Sequence, residues 1–372
     1  MRKKVIRMLM GIWIGFVFLV MVVLLYFVIV STGRIREYKD DEGNPLEGSI
    51  SEKLKLDING AQNGLFINGK NPDNPVLLFV SSGPGTDDYF LNEKYPDIHL
   101  EDEFTVCYWD YRGMGIVYDE NIDPSTIDRN TLISDTVAVT EYLKERFHKE
   151  KIYIMAFSGG TNIALKTVQK YPEHYYAYIG MAQVICDGED NDTLIYEFMK
   201  DTFTQRNDSR RLRKLEKMVE KRDNGKVVCH DWYEYVMLLH EAGGGTTMNE
   251  SELWGIDIPI LKAHCYTVKE KFDYIRGMKM YRTTTLYKEL ENKDYRRDDL
   301  KFHIPMYFLS GNHDYNCPWP LVEEYCNRID APDKGFYLIE DAAHSPLWEQ
   351  PEKSYEIMKE IKNKQERLEY GR

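Results

Sequence analysis

Three residues far apart in the chain, Ser158, Asp314 and His344, have the types and settings that nucleophilic catalysis needs. A serine hydroxyl is a poor nucleophile at neutral pH until a base takes its proton. That base needs an acid to fix its tautomer and stabilise its charge. Ser158 lies in the stretch KIYIMAFSGGT (151–161), where an apolar, β-branched run over Ile152–Phe157 ends at Ser158-Gly159-Gly160 and a helical pattern begins at once. A strand, a one-residue corner and a helix would aim a hydroxyl out of the top of a sheet. So tight a turn needs small residues two places before and two after the serine, here Ala156 and Gly160. Taken alone, the corner reads equally well as a helix N-cap.

The elements that must position these residues follow from the hydrophobic pattern. Ser51–Ile58 alternates as a half-buried strand, and Leu65–Ile67 before Asn68-Gly69 reads as a second strand and a turn. Pro75–Val80, Phe104–Trp109 and Tyr176–Ile185 are continuous apolar runs, as interior parallel strands are. Ile304–Leu309 and Phe336–Ile339 add two more strands, each followed by a polar loop. Thr131–Phe147 and Leu347–Tyr370 read as helices. Between Asp187 and about Leu300 strand signals vanish and charged helical stretches take over, among them Arg210–Arg222 with Leu212, Leu215, Met218 and Val219 on one stripe. Strands alternating with helices, with a helical block spliced in before the last two strands, predict an α/β fold: a mostly parallel sheet carrying a cap. The expected divisions are an anchor at 1–30, a linker at 31–49, core at 50–186, cap at 187–300 and core again at 301–372.

In such a sheet the acid and the base should lie at the ends of the last strands. Ser310-Gly311-Asn312-His313-Asp314 follows one of them and Glu340-Asp341-Ala342-Ala343-His344 the other. Ser158, Asp314 and His344 thus stand in the chain order of an α/β-hydrolase triad. His313 is the rival histidine, but adjacent loop residues point apart, so a packing role suits it better. Asp187 is the rival acid and reads more naturally as a turn or cap residue. The developing oxyanion needs fixed donors. Gly159 N–H is one; Ser82 or Gly83 in the turn Ser81–Gly85 would supply the second, since Pro84 has no N–H to give.

These motifs carry a family resemblance. Ser81-Ser82-Gly83-Pro84-Gly85 resembles the His-Gly-Gly-Pro-Gly oxyanion loop of the proline iminopeptidase group of α/β-hydrolases. Trp109-Asp110-Tyr111-Arg112-Gly113-Met114-Gly115 resembles the Asp-Gln-Arg-Gly-x-Gly loop after that group's next strand. The resemblance covers roughly residues 50–186 and 300–350 and implies a serine hydrolase, with aminopeptidase action on short peptides as the leading subclass. There are departures: two serines open the oxyanion loop, Tyr111 replaces a glutamine, Ala156 opens the small-x-Ser-x-small corner (the nucleophile elbow of that group), and Gly159 stands where the group usually carries tryptophan. These bear on substrate preference more than on catalysis. The resemblance also implies cap acids that hold a substrate's free amine, with Glu241 the closest match and Glu197 and Glu234 weaker ones; each reads equally as a surface acid.

Composition narrows the partners. Four of the 48 basic residues, Arg2, Lys3, Lys4 and Arg7, precede residue 31 and no acid does, so residues 31–372 carry 44 basic against 61 acidic groups, or −17. Such a surface repels phosphate backbones and argues against nucleic acid. The six cysteines show no metal-ligand spacing; no zinc, other metal or cofactor is expected, and nothing requires a disulfide between Cys317 and Cys326. Met8–Val30 is 23 residues without a charge, enough helix for a hydrocarbon core of ~30 Å and longer than a signal-peptide core. The basic cluster ahead of it keeps the N-terminus in the cytoplasm and places the remainder outside. The expectation is a membrane-anchored serine hydrolase of proline iminopeptidase type acting through an acyl-enzyme. The alternatives are a carboxylesterase or lipid hydrolase, which the tether would suit, and a non-catalytic binding protein on the same fold.

Overall fold

The computed structural model describes residues 2–83, 85–291 and 293–370. Its apolar runs become strands β1 (Ile50–Ile58), β2 (Ala61–Gly69), β3 (Val76–Val80), β4 (Thr105–Asp110), β5 (Ile152–Phe157), β6 (Tyr175–Met181), β9 (Met306–Gly311) and β10 (Lys334–Ile339) of one sheet, ordered β1-β2-β4-β3-β5-β6-β9-β10. Strands β7 (Val219–Lys221) and β8 (Val227–Cys229) form a separate hairpin. The pairs β1–β2 and β2–β4 are antiparallel and all the other pairs of the large sheet are parallel. Strands β3, β4 and β5 are buried along their whole length, as expected where helices cover both faces. Two apolar layers result: Leu78, Val80, Trp109, Ile154 and Ile163 on one face, and Phe79, Tyr108, Met155, Ile179 and Trp348 on the other.

The structure departs from the sequence pattern in three places. The stretch 210–222 is only partly helical: a helix covers Ser209–Glu216, after which β7 and β8 pair around Asn224-Gly225, with Gly225 at φ 81°. Asn-Gly inside the five-residue loop between Lys221 and Val227 lets the chain reverse, and this overrides the helical stripe. The run 176–185 stops being a strand at Met181, because Ala182 takes φ 49° and turns the chain over the sheet edge. The closing helix is two, Pro346–Glu349 and Pro351–Tyr370, separated where Pro351 has no N–H to continue the first.

The N-terminal helix Arg2–Val30 is 29 residues long, about 44 Å at 1.5 Å per residue, and is long and apolar enough to cross a membrane. The expected linker is not loose at its start. Thr32 pairs with Thr267, and its hydroxyl and the Arg34 N–H both donate to the His264 carbonyl, at 3.0 and 3.1 Å. Lys271 donates to Ser31 Oγ at 2.8 Å, and the Phe27 ring meets Phe272 edge-on at 6.4 Å. The helix end is therefore fixed to the block between β6 and β9.

At the far end of the chain, the helix Pro351–Tyr370 is strapped to the core by Glu103, which accepts from Tyr355 and Lys359 at 2.8 Å and pairs with Lys362. Partial burial raises the Glu103 carboxyl, but these donors outweigh it and hold it down at about 2. A depressed carboxyl stabilises the fold above the unfolded value near 4.5 and loses that stabilisation as pH falls through 2. Amide exchange in residues 351–370 should therefore accelerate between pH 4.5 and 2.5 beyond its intrinsic pH dependence. Glu103→Gln should exchange faster at pH 7 and lose most of this added pH dependence.

Candidate active site

Strand β5 delivers Ser158 into a corner where it holds φ 49°. This left-handed region is costly for a residue with a Cβ, about 1–3 kcal/mol where the surroundings force it. Phe157 and Gly160 on either side are buried, and the helix Thr161–Lys170 begins immediately, so the chain has no other route. Ser158 Oγ thereby projects toward His344, with Nε2 at 2.8 Å.

The acid and the base come from adjacent loops because β9 and β10 run parallel in register, with Gly311 opposite Ile339. Any Cβ on Gly311 would overlap the Ala342 and Ala343 carbonyls, so this close approach requires glycine. Asp314, fully buried, accepts from His344 Nδ1 at 3.0 and 3.2 Å and from the Cys317 N–H at 2.9 Å. A carboxylate accepts only, so Nδ1 carries the imidazole proton and Nε2 is left to accept from Ser158. The three residues form one continuous hydrogen-bonded relay. The rivals lie elsewhere. His313 packs its ring 6.1 Å from Phe198, and Asp187 sits on a cavity wall.

Of the expected oxyanion donors, Gly159 and Gly83 stay beside Ser158 and line the cavity there. A Cβ at 159 would overlap the Gly83 carbonyl, so the glycine at this position is what lets the 81–83 turn close on the elbow. Ser82 is a correction. Its N–H donates to Asp88 Oδ2 and its hydroxyl to Asp88 Oδ1, both at 2.6 Å, so its donors are spent on holding the turn. Tyr111 donates to the Ser81 carbonyl, which gives the departure from glutamine a structural role. Glu241 is also a correction. It pairs with Arg211 at 2.5 Å on the exposed side of the helix Trp232–Ala242, while the neighbouring His240 ring packs inward against Gly245. Glu197 is exposed, and Glu234 pairs with Lys214 at 3.6 Å.

Ser158 stands between two cavities that share Gly83, Ser158 and Asn316. One, of about 520 Å³, carries the acids Asp187, Asp192 and Glu291 beside apolar walls of Val184, Ile185 and Leu290. The other, of about 390 Å³, is apolar, with Phe90, Ile256, Ile260, Tyr274 and Met278 on its walls. Asn316, Asp88 and Glu349 were not picked out by sequence reasoning. Glu349 holds the His344 loop by accepting from the Ala343 N–H at 2.9 Å, and ties it to the cap through the Met248 N–H at 2.7 Å. Only the Asp87-Asp88 pair, directly after the oxyanion turn, offered a signal: buried carboxylates are rare unless they hold something.

Fold and relay together define an α/β hydrolase. A family model described as serine aminopeptidase, S33 matches residues 100–235, which take in Ser158 and the chain as far as Tyr235. The protein named probable aminopeptidase YbaC of Bacillus subtilis (strain 168) is 29% identical over 311 residues, 82% of this chain and 95% of that one. Among solved structures, the proline iminopeptidase of Mycobacterium smegmatis superposes with TM-score 0.57 at 13% identity, over 84% of this chain and 98% of its own. A membrane phospholipase A superposes with TM-score 0.54 at 13% identity over 98% and 99%; likenesses at this level of identity show the fold. The chain has the α/β-hydrolase fold and is a serine hydrolase, similar over residues 100–235 to the serine aminopeptidase family.

Behind the oxyanion turn lies a knot of acids. Burial pushes Asp88 up to about 7 and Asp87 to about 6, while Asp110, buried beside the Asp87 charge, is pushed well above the usual range. A carboxyl that stays neutral when folded but ionises near 4 when unfolded costs stability as pH rises from that value to its folded one. The unfolding temperature should therefore fall between pH 5 and 7.5. In Asp88→Asn, which keeps an acceptor for Ser82, thermal melts should show a shallower fall.

Proposed function

We propose that this chain is a membrane-anchored serine aminopeptidase that cleaves short peptides or aminoacyl amides through an acyl-enzyme. The observation that carries the reading is the Ser158–His344–Asp314 relay set against an acidic cavity. Ser158 Oγ attacks the substrate carbonyl as His344 Nε2 takes its proton, and Asp314 stabilises the imidazolium through Nδ1–H. The oxyanion is held by the N–H groups of Gly159 and Gly83. His344 then returns the proton to the leaving amine, and the C–N bond breaks to leave an ester on Ser158. Water, deprotonated by His344, hydrolyses that ester and restores the serine.

The amine clamp expected at Glu241 passes in this reading to Asp187 and Glu291, carboxylates on the wall of the cavity that reaches Ser158. An ammonium group beside them is attracted by Coulomb energy, which partial desolvation strengthens. An esterase reading is favoured by one observation, the apolar chamber on the opposite side of Ser158. The charge-free span 8–30 of the N-terminal helix supports the anchor, and the basic residues at the start of that helix favour an N-terminus in the cytoplasm with the catalytic part outside.

A fluorophosphonate probe should label the protein at Ser158, and Ser158→Ala should abolish labelling with unfolding unchanged. His344→Ala should lower kcat by several orders of magnitude, and Asp314→Asn by about 10⁴, because the amide forces the wrong tautomer. Labelling that survives Ser158→Ala would overturn the assignment. On a panel of aminoacyl amides and acyl esters, Glu291→Gln with Asp187→Asn should raise KM for amine-bearing substrates about tenfold and leave simple esters untouched.

A further inference from the structure

The geometry points to a second membrane contact: the cap face formed by the helical run 253–262 and the helix Val268–Tyr281 sits in the bilayer interface, and the apolar chamber at Ser158 opens there to take up the apolar part of an amphiphilic substrate. This rests on the anchor reading of the N-terminal helix and on the relay at Ser158. Among the described residues outside that helix, ten large hydrophobic side chains are exposed, and five of them fall within 253–275: Leu253, Trp254, Leu261, Phe272 and Ile275. Trp254 is 58% exposed and Phe272 53%. Scattered exposed apolar residues need no explanation, but such a concentration within 253–275 does.

The occupant of this face is given by what borders it. Phe272 meets Phe27 of the anchor helix, and Lys271 bonds Ser31 at that helix's end, so a bilayer crossed by residues 8–30 reaches the same face. With residues 32–34 tied to 264–267, the cap stays close to the membrane surface. The charge fits as well. Residues 253–282 hold six Lys or Arg against three Asp or Glu in a chain of net −13, the pattern of a helix lying at anionic headgroups. Leu261 and Ile275 both line the chamber and stand exposed, at 45% and 41%, so they form its mouth on this face. A substrate lying in the interface can slide its apolar end past them toward Ser158 while its polar end enters the acidic cavity.

The test uses the full chain in phosphatidylcholine–phosphatidylglycerol vesicles with brominated acyl chains, which quench tryptophan on contact. Trp13 reports the anchor and Trp254 the face. Trp254→Phe should reduce the quenched emission by about half, since these two are the tryptophans placed in lipid. An undiminished quenched component in Trp254→Phe, with the loss confined to Trp13→Phe, would overturn the seated face and leave the anchor standing. No quenching of either would remove both. In a second arm, Leu253→Asp combined with Trp254→Asp should slow hydrolysis of a long-chain ester dissolved in the vesicles about tenfold, with a short soluble ester unaffected. An unchanged ratio between the two esters would overturn the entry route, whereas failure to cleave either in the parent chain would count against the relay alone.

Discussion

The structure depends on the crowding at one corner. Ser158 is held at a left-handed φ while the carbonyl of Gly83 presses on Gly159, so the corner at Ser158 and the turn 81–83 fit only against each other. Strain of this kind persists when the surroundings over-determine the backbone, and here they do, with β5 buried throughout and a helix starting at once. Everything that touches the turn acts to keep that fit: Asp88 through Ser82, and Tyr111 through the Ser81 carbonyl. A side chain at 159 would lever the turn away, and this chain has dispensed with one.

The same crowding explains the buried acids. Burial raises the carboxyls of Asp87, Asp88 and Asp110, and the Asp87 charge raises its two neighbours further. Their short bonds hold the turns after β3 and β4 against the core, with Asp110 accepting from the Ile116 N–H at 2.9 Å and Tyr266 reaching Asp87 from the cap. Arg112, in the next turn, forms a bidentate pair with fully buried Asp135 at 2.5 and 2.6 Å. Removing one partner of a pair so buried costs about 3–5 kcal/mol, because the other charge is left uncompensated. Stability and function therefore meet in the same loops.

The cap joins the site to the N-terminal helix. Its inner surface closes both cavities, its Met248 and Gly245 backbone groups hold the His344 loop, and its Thr267 and Lys271 receive the end of the helix. A displacement of this block would thus be felt at His344, at the two cavity walls and at the helix end together.

Much of this was legible in the residues. The apolar runs marked the strands, and the small residues around Ser158 marked the corner. The loops after the last two strands carried Asp314 and His344, because the parallel topology puts strand ends on one edge. Local pattern also misled. A helical stripe over 210–222 concealed the Asn224-Gly225 hairpin, and Glu241 matched by type although its helix turns it toward Arg211 and solvent. The sequence by itself determined the sheet, the corner at Ser158 and the charge-free span, since each depends on short-range periodicity and on residue size. Only the tertiary structure decided where the Ser82 donors are spent, which acids line the cavity at Ser158, and how the helix end meets the block between β6 and β9. Those depend on the directions of side chains brought together from distant parts of the chain, and no local pattern encodes them.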